Sequence, residues 1–303
     1  MALTKEQLAA RKIGGSDVAT ILGLNPWKSA RELYHEKRGE LPIPDLETND
    51  NVEAGNIMET PIAELVARRL TRKWGTEVKL RRCNLTLVHP KYDWLTVHID
   101  RDFVGLERGL EIKNVGPRAW KGWGEQGTDE IPQHYLPQPH TYMLVKNYPV
   151  WTVAGYFGGG DLRFYEVVRD REMDELIISS THDFHEAVIN GVPPEIDAAS
   201  PRALDVIKRV YPGTNGEIIE GDVSLTPWIA IMRDSAKLRL EYTKTEEVAK
   251  AHLERFMGEA AVMRIPGVAG EFVRKMVKRK GYTVEPDEHM EFRYKAKDSS
   301  NDA

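Results

Sequence analysis

Apolar positions along the chain recur at helical spacing in some stretches and alternate in others. Ser16 is placed to cap a short helix over Asp17–Leu22, with Gly23 as its stop. Ser29 followed by Glu32 is a capping-box pattern that opens a second helix, ended by Gly39. Residues 40–53 carry two prolines and many carboxylates and read as an exposed loop. From Gly55 to Trp74, the residues Ile57, Ile62, Leu65, Val66 and Leu70 mark one face of a helix, with Pro61 expected near its first turn. Strand-like runs follow at Glu77–Leu80, Asn84–Val88, Leu95–Val104 and Leu110–Val115. A loop is expected over 116–132 and a helix over His134–Lys146. Val150–Phe157 and Leu162–Val168 read as strands joined through Gly158-Gly-Gly160, and Glu172–Asn190 as a helix ended by Gly191. This order predicts a mixed α+β core, a central mixed sheet flanked by helices.

Past Ile196 the pattern changes. Residues 197–224 read as a linker with weak strands. Thr226-Pro227 opens a helix that runs to Met257. Its apolar seam, Ile231, Leu238, Tyr242, Ala249 and Phe256, is interrupted by Ser235, Thr245 and His252, so a surface helix and a coiled coil both fit. Glu271–Val284 and Met290–Lys295 resemble a charged hairpin: five basic residues fall in 274–280 and four acidic ones in 285–291. The expected division is therefore 1–196 as the main domain and 197–303 as an extension of linker, long helix and hairpin.

Composition narrows the classes. The 303 residues include one cysteine, Cys83, which excludes an intrachain disulfide and any multi-cysteine zinc site. No apolar run approaches the ~20 residues of a membrane helix, and the N-terminus lacks a signal-like apolar region, so a cytoplasmic setting is expected. Net charge is −5. Contact with nucleic acid must then be confined to a local channel or patch.

The candidate chemistry lies in Val97-His-Ile-Asp100 and Glu111-Ile-Lys113. Strand alternation puts Glu111 and Lys113 on one face, with Ile112 inward. If the two runs pair, Asp100 joins them. Carboxylate oxygens can hold Mg²⁺, which lowers the pKa of bound water, and a lysine can stabilise developing negative charge. Taken alone, the same spacing also suits a strand with a solvated Glu/Lys face. Asp102 and His98 share the face of Asp100.

Further segments carry a resemblance. Ile13-Gly-Gly-Ser-Asp17 with Ile21-Leu-Gly-Leu-Asn-Pro-Trp27 resembles the N-terminal signature of the YqaJ-type phage recombinase nucleases, relatives of lambda exonuclease. Gly55-Asn-Ile-Met-Glu59-Thr-Pro61, the Asp100…Glu111-Ile-Lys113 core, Pro132 through Tyr135 to Gln138, and Phe157 through Tyr165 are similar to the later segments of that family in the same order. The resemblance spans residues 11–196. It implies a restriction-endonuclease-like (PD-(D/E)xK) fold and a Mg²⁺-dependent nuclease, with Mn²⁺ as a substitute metal. The implied activity is 5′→3′ degradation of linear duplex DNA that leaves 3′ single strands for recombination. A structure- or site-specific endonuclease, or a DNA-binding module without catalysis, is the alternative.

The resemblance also implies roles. Asp100, Glu111 and the Ile112 carbonyl match the metal ligands, and Lys113 the catalytic lysine. Glu59 matches a helix carboxylate at the metal site, and Gln138 a glutamine near the scissile phosphate. Arg11 and Ser16 resemble the pair that grips the 5′-phosphate. The expected partners are duplex ends and a single-strand annealing protein. A homotrimeric ring is implied, with a monomer as the alternative, since residues 197–303 have no counterpart in it.

Several residues keep two readings. Trp27 suits either a core anchor or a base-stacking wedge. Trp120 and Trp123, interleaved with Arg118 and Lys121, suit a DNA channel or a loop anchor. Tyr135 and Tyr142 read as packing residues, and Cys83 as a buried thiol. His182, His185 and Glu186 read as a helix surface.

Overall fold

The computed structural model describes residues 3–4, 7–8, 10–43, 49–116, 119–195 and 203–276. The chain divides into two compact units, Met1–Pro212 and Gly213–Ala303.

The first unit opens with β1 (Ile13–Gly14) and α1 (Gly15–Ile21), then α2 (Ala30–Arg38) and α3 (Asp50–Trp74). Short strands follow: β2 (Leu80–Arg82), β3 (Leu87–Val88), β4 (Leu95–Val97) and β5 (Arg101–Phe103). Next come β6 (Arg108–Asn114), α4 (Pro137–Lys146), β7 (Val150–Tyr156), β8 (Leu162–Val168), α5 (Arg171–Asn190) and α6 (Ala203–Val210). The main sheet has the order β2-β5-β6-β7-β8. It is mixed: β6 runs parallel to β7, and the remaining neighbours are antiparallel. A second sheet, β1-β4-β3, lies beside it. This is the expected α+β architecture with helices flanking a mixed sheet.

Side-chain alternation divides β6 between two cores. Leu110 and Ile112 pack with Ile62, Val66 and Leu70 of α3 and with Phe103, Ala154, Leu162 and Phe164. The opposite face packs Val153, Trp151 and Tyr165 against Tyr142 and Met143 of α4. A third cluster joins Ile13, Val18, Leu33, Leu144, Ile177 and Phe184 and fastens α1, α2 and α5 to α4. Gly109 and Trp151 are register partners on β6 and β7. Trp151 is fully buried and its ring fills the space a side chain at Gly109 would need.

Several boundaries differ from expectation, each for a local reason. Helix α1 begins at Gly15, not after Ser16: its cap is Gly14, whose N–H donates to Asp17 Oδ2 at 2.9 Å, so Ser16 lies inside the first turn. Ser29 does cap α2, accepting from Glu32 N, and Gly39 closes it in the left-handed conformation. Helix α3 starts at Asp50, inside the expected loop. Asn49 caps it, and its first turns are too exposed and polar to show an apolar stripe. Pro61 therefore falls in the helix interior. The expected strand Leu95–Val104 is two strands in different sheets. Helix α4 starts at Pro137, and His134–Leu136 form the turn before it. The expected linker contains α6, which Arg209 ties to Glu32 of α2 at 2.6 Å, and the first compact unit runs to Pro212.

The second unit holds α7 (Thr226–Met257), preceded by a 3-10 turn at Val223–Leu225, and a small ribbon in which β9 (Val262–Met263) pairs with β10 (Phe272–Val273). Among its described residues, Met257 and Met263 are buried. The second strand of the expected hairpin, and most of the basic run 274–280, lie outside the described residues. No helix among the described residues is long and apolar enough to cross a membrane.

Candidate active site

Strand β6 carries Glu111 and Lys113 onto the face covered by α4, and the segment entering β5 brings Asp100 across to them. Asp100 Oδ2 accepts from the Ile112 N–H at 2.7 Å, which locks the carboxylate against the middle of β6. Lys113 Nζ donates to Glu111 Oε1 at 2.6 Å and to Gln138 Oε1 at 2.9 Å. It also stands 4.9 Å from the centre of the Tyr135 ring, a cation–π distance. The Gln138 amide donates to the Tyr142 hydroxyl. Asp100, Glu111, Ile112, Lys113 and Gln138 thus meet in one network.

Glu59 joins it indirectly. Its carboxylate is held by Arg101, a residue that the sequence reading did not single out. Arg101 is buried; it also donates to the Asp100 carbonyl at 2.7 Å and to Thr60 Oγ1 at 3.1 Å. The pair pins the backbone that carries Asp100 to helix α3. The signal for Arg101 was present in its position next to Asp100, because an arginine on a buried strand requires a carboxylate partner.

The remaining candidates lie elsewhere. The Arg11 guanidinium donates to Glu36 O at 3.1 Å, at the end of α2. Ser16 is exposed in the first turn of α1. A packing contact links this signature to the site: a Cβ on Gly15 would lie 2.8 Å from the Tyr142 ring, so the glycine lets α1 approach the residue that orients Gln138. Asp102, although it shares the alternation of Asp100, is engaged by Lys146 at 2.9 Å and Arg81 at 3.3 Å. His98 is exposed and bonded to Thr86. Tyr142 has a polar role besides packing. Trp123 is a loop anchor, buried among Tyr135, Phe157 and Tyr165, whereas Trp120 is exposed and Arg118 lies outside the described residues. His185 is buried against Trp94 and so is not a surface residue. Cys83 is partly buried. Trp27 is 59% exposed, which rules out the core-anchor reading.

The electrostatics are those of crowded like charges. Burial first, and the Glu111 charge second, push Asp100 up to about 8, against the opposing hydrogen bond from Ile112. Glu111 is itself buried, and its Oε2 has no hydrogen-bond partner. Burial acts against the charge on Lys113, but Glu111 and Asp100 outweigh it and hold the ammonium above its ordinary value. Burial, then Glu111 and Asp100, push the Tyr142 phenol well above 10.0. Among the described residues no group of three or more His, Cys, Asp or Glu side chains is arranged as a metal site. The expected donors are two carboxylates and a main-chain carbonyl. Two buried carboxylates that repel one another, one with an unpartnered oxygen, are a donor set that a divalent cation would relieve.

This raised value has a consequence for stability. Between about pH 4 and 8 Asp100 holds a proton in the fold that it loses in the unfolded chain, so stability falls as pH rises through that window. In chelator-treated protein, Asp100→Asn should therefore gain Tm relative to wild type, and the gain should grow from about pH 6 to pH 8. A pH-independent difference between the two proteins would contradict the assignment.

The chain shows similarity to known proteins over this region. A family model described as YqaJ-like viral recombinase domain matches residues 6–149. Over 205 residues, 67% of the chain, the sequence is 31% identical to the protein YqaJ of Bacillus subtilis (strain 168). The match spans 61% of that relative's length. Among solved structures, the alkaline exonuclease LHK-Exo of Laribacter hongkongensis is 18% identical, with a TM-score of 0.45 over 62% of this chain and 94% of its own. A phage-related exonuclease from Haemophilus somnus 129PT is 14% identical, with a TM-score of 0.41 over 59% and 96% of the two chains.

Proposed function

We propose, from the match of residues 6–149 to a family model described as YqaJ-like viral recombinase domain, that the chain is a metal-dependent nuclease that degrades linear duplex DNA from its ends. The observation that carries this reading is the convergence of Asp100, Glu111 and Lys113 on one face of the sheet, with Asp100 raised to about 8.

In this reading Asp100, Glu111 and the Ile112 carbonyl hold the divalent cation, Mg²⁺ or Mn²⁺. When bound it supplies Lewis acidity, lowering the pKa of a coordinated water and offsetting charge on the phosphate. The chain's own groups do the rest. Lys113 is kept protonated by its carboxylate neighbours, so it serves as a fixed positive charge beside the reacting phosphate and not as a base. Gln138 holds the ammonium through its oxygen, and Tyr142 holds Gln138. The Glu59–Arg101 pair steadies the main chain at Asp100. Arg11 and Ser16 are proposed as contacts to the 5′-phosphate.

The 5′→3′ direction, the 3′ single-stranded product and an annealing-protein partner belong to the same proposal. So does a homotrimeric ring, which would reconcile a net charge of −5 with DNA binding by confining positive potential to a channel. One experiment separates the classes. Linear and closed circular duplexes are incubated with Mg²⁺ and, in parallel, with chelator. Loss of the linear form only, abolished by chelation, is expected. Cutting of the circle would mean an endonuclease, and cutting of neither a binding module.

A further inference from the structure

Trp27 does not serve the hydrophobic core, yet the loop that carries it is firmly fixed. The Asn25 amide donates to Thr20 Oγ1 at 2.8 Å, and its oxygen accepts from the Trp27 N–H at 2.9 Å. Thr20 is buried, and the N–H groups of Leu24 and Asn25 both donate to Ala19 O. Fixing an exposed loop costs conformational entropy, and the indole it presents remains 59% exposed.

The indole points along a path to the site. It meets the His134 ring edge to face at 4.8 Å, with an interplanar angle of 87°. His134 lies 4.1 Å from the Tyr135 ring, over which Lys113 Nζ stands. Three rings therefore form one strip from the surface to the ammonium of Lys113. The turn before α4 supplies two of them, and the Asn-Pro-Trp loop after α1 supplies the third.

We propose that Trp27 is a stacking shelf for a nucleobase of the DNA held at Asp100, Glu111 and Lys113. It is a positioning residue, and the proposal rests on the nuclease reading above. Every base presents a π-face, so an aromatic shelf grips DNA without regard to sequence. An enzyme that consumes a strand nucleotide by nucleotide needs that tolerance. The shelf sets the path by which the strand reaches Lys113.

The test uses duplexes with 2-aminopurine at the 5′ or the 3′ terminus, whose fluorescence falls on stacking. They are bound in Ca²⁺ to avoid hydrolysis. The wild-type protein should quench one of the two termini. Trp27→Ala should lose that quench and bind about tenfold more weakly, while Trp27→Phe keeps most of both. A wild type that quenches neither terminus, or a Trp27→Ala variant with unchanged quench and Kd, overturns the shelf; the second result would leave the indole to a protein partner. Hydrolysis of the same duplexes in Mg²⁺ is scored separately. Its absence in the wild type would sink the nuclease reading, whereas the quench alone decides the stacking.

Discussion

Lys113→Ala should lower turnover on linear duplex by ~10²–10³-fold, the usual cost of removing a preorganised group that stabilises developing charge. The same change leaves Glu111 buried without its cation. Breaking one half of a buried pair is strongly destabilising, so Tm should fall as well. The two losses can be pulled apart. Adding Glu111→Gln to Lys113→Ala removes the stranded charge and should recover much of the Tm, but none of the turnover. Steady-state rates with thermal melts on the two variants check this. Near-normal turnover in Lys113→Ala would take the lysine out of the chemistry. A double variant no more stable than Lys113→Ala would mean that Glu111 is not strained by the loss.

The second large effect falls on stability alone. Gly109→Ala places a methyl group 2.1 Å from Cη2 of Trp151 and 2.2 Å from its Cζ2. The indole is fully buried and packs on Tyr142 and Tyr148 at ring separations of 5.1 Å and 6.2 Å, so it has no room to retreat. Overpacking of this kind costs about 1–3 kcal/mol and at times more. Gly109→Ala should therefore lower Tm by roughly 3–10 °C for a unit of this size. The paired variant Gly109→Ala/Trp151→Leu should lose less than the sum of its parts, because the two sites share one volume. Full additivity in chemical denaturation would show that the methyl and the indole do not compete.

What could be read before the fold was in view follows from how local each cause is. Ser29 and Gly39 bound α2 through contacts within three or four residues, and the sequence shows both. The glycines 158–160 turn between β7 and β8 at positive φ, again a local matter. Glu111 and Lys113 were legible because strand alternation alone places them together. The split of Leu95–Val104 was not. Leu95–Val97 pairs with β1 and β3, while Arg101–Phe103 pairs with β2 and β6. Only partners distant in sequence force the chain to change sheets between them. Arg101 and Gly15 escaped for the same reason: each acts through a contact far along the chain, Arg101 with Glu59 and Gly15 with Tyr142. Tyr142 and Gln138 are four residues apart on α4, but helical spacing does not distinguish a hydrogen bond there from packing.

Helix α3 has two mechanical halves. Beyond Pro61 it is riveted to the sheet by Ile62, Val66 and Leu70. Before Pro61 its turns are largely open to water, and the proline itself offers no N–H to the preceding turn. A short exposed helical segment is marginal by itself. Residues 50–57 can therefore unwind without opening the core, as a low-energy unit of local unfolding. Glu59 and its grip on Arg101 stand at the seam between the halves. The same ion pair that steadies Asp100 thus acts as a latch: releasing it would loosen the front of the helix and the main chain of the site in one motion.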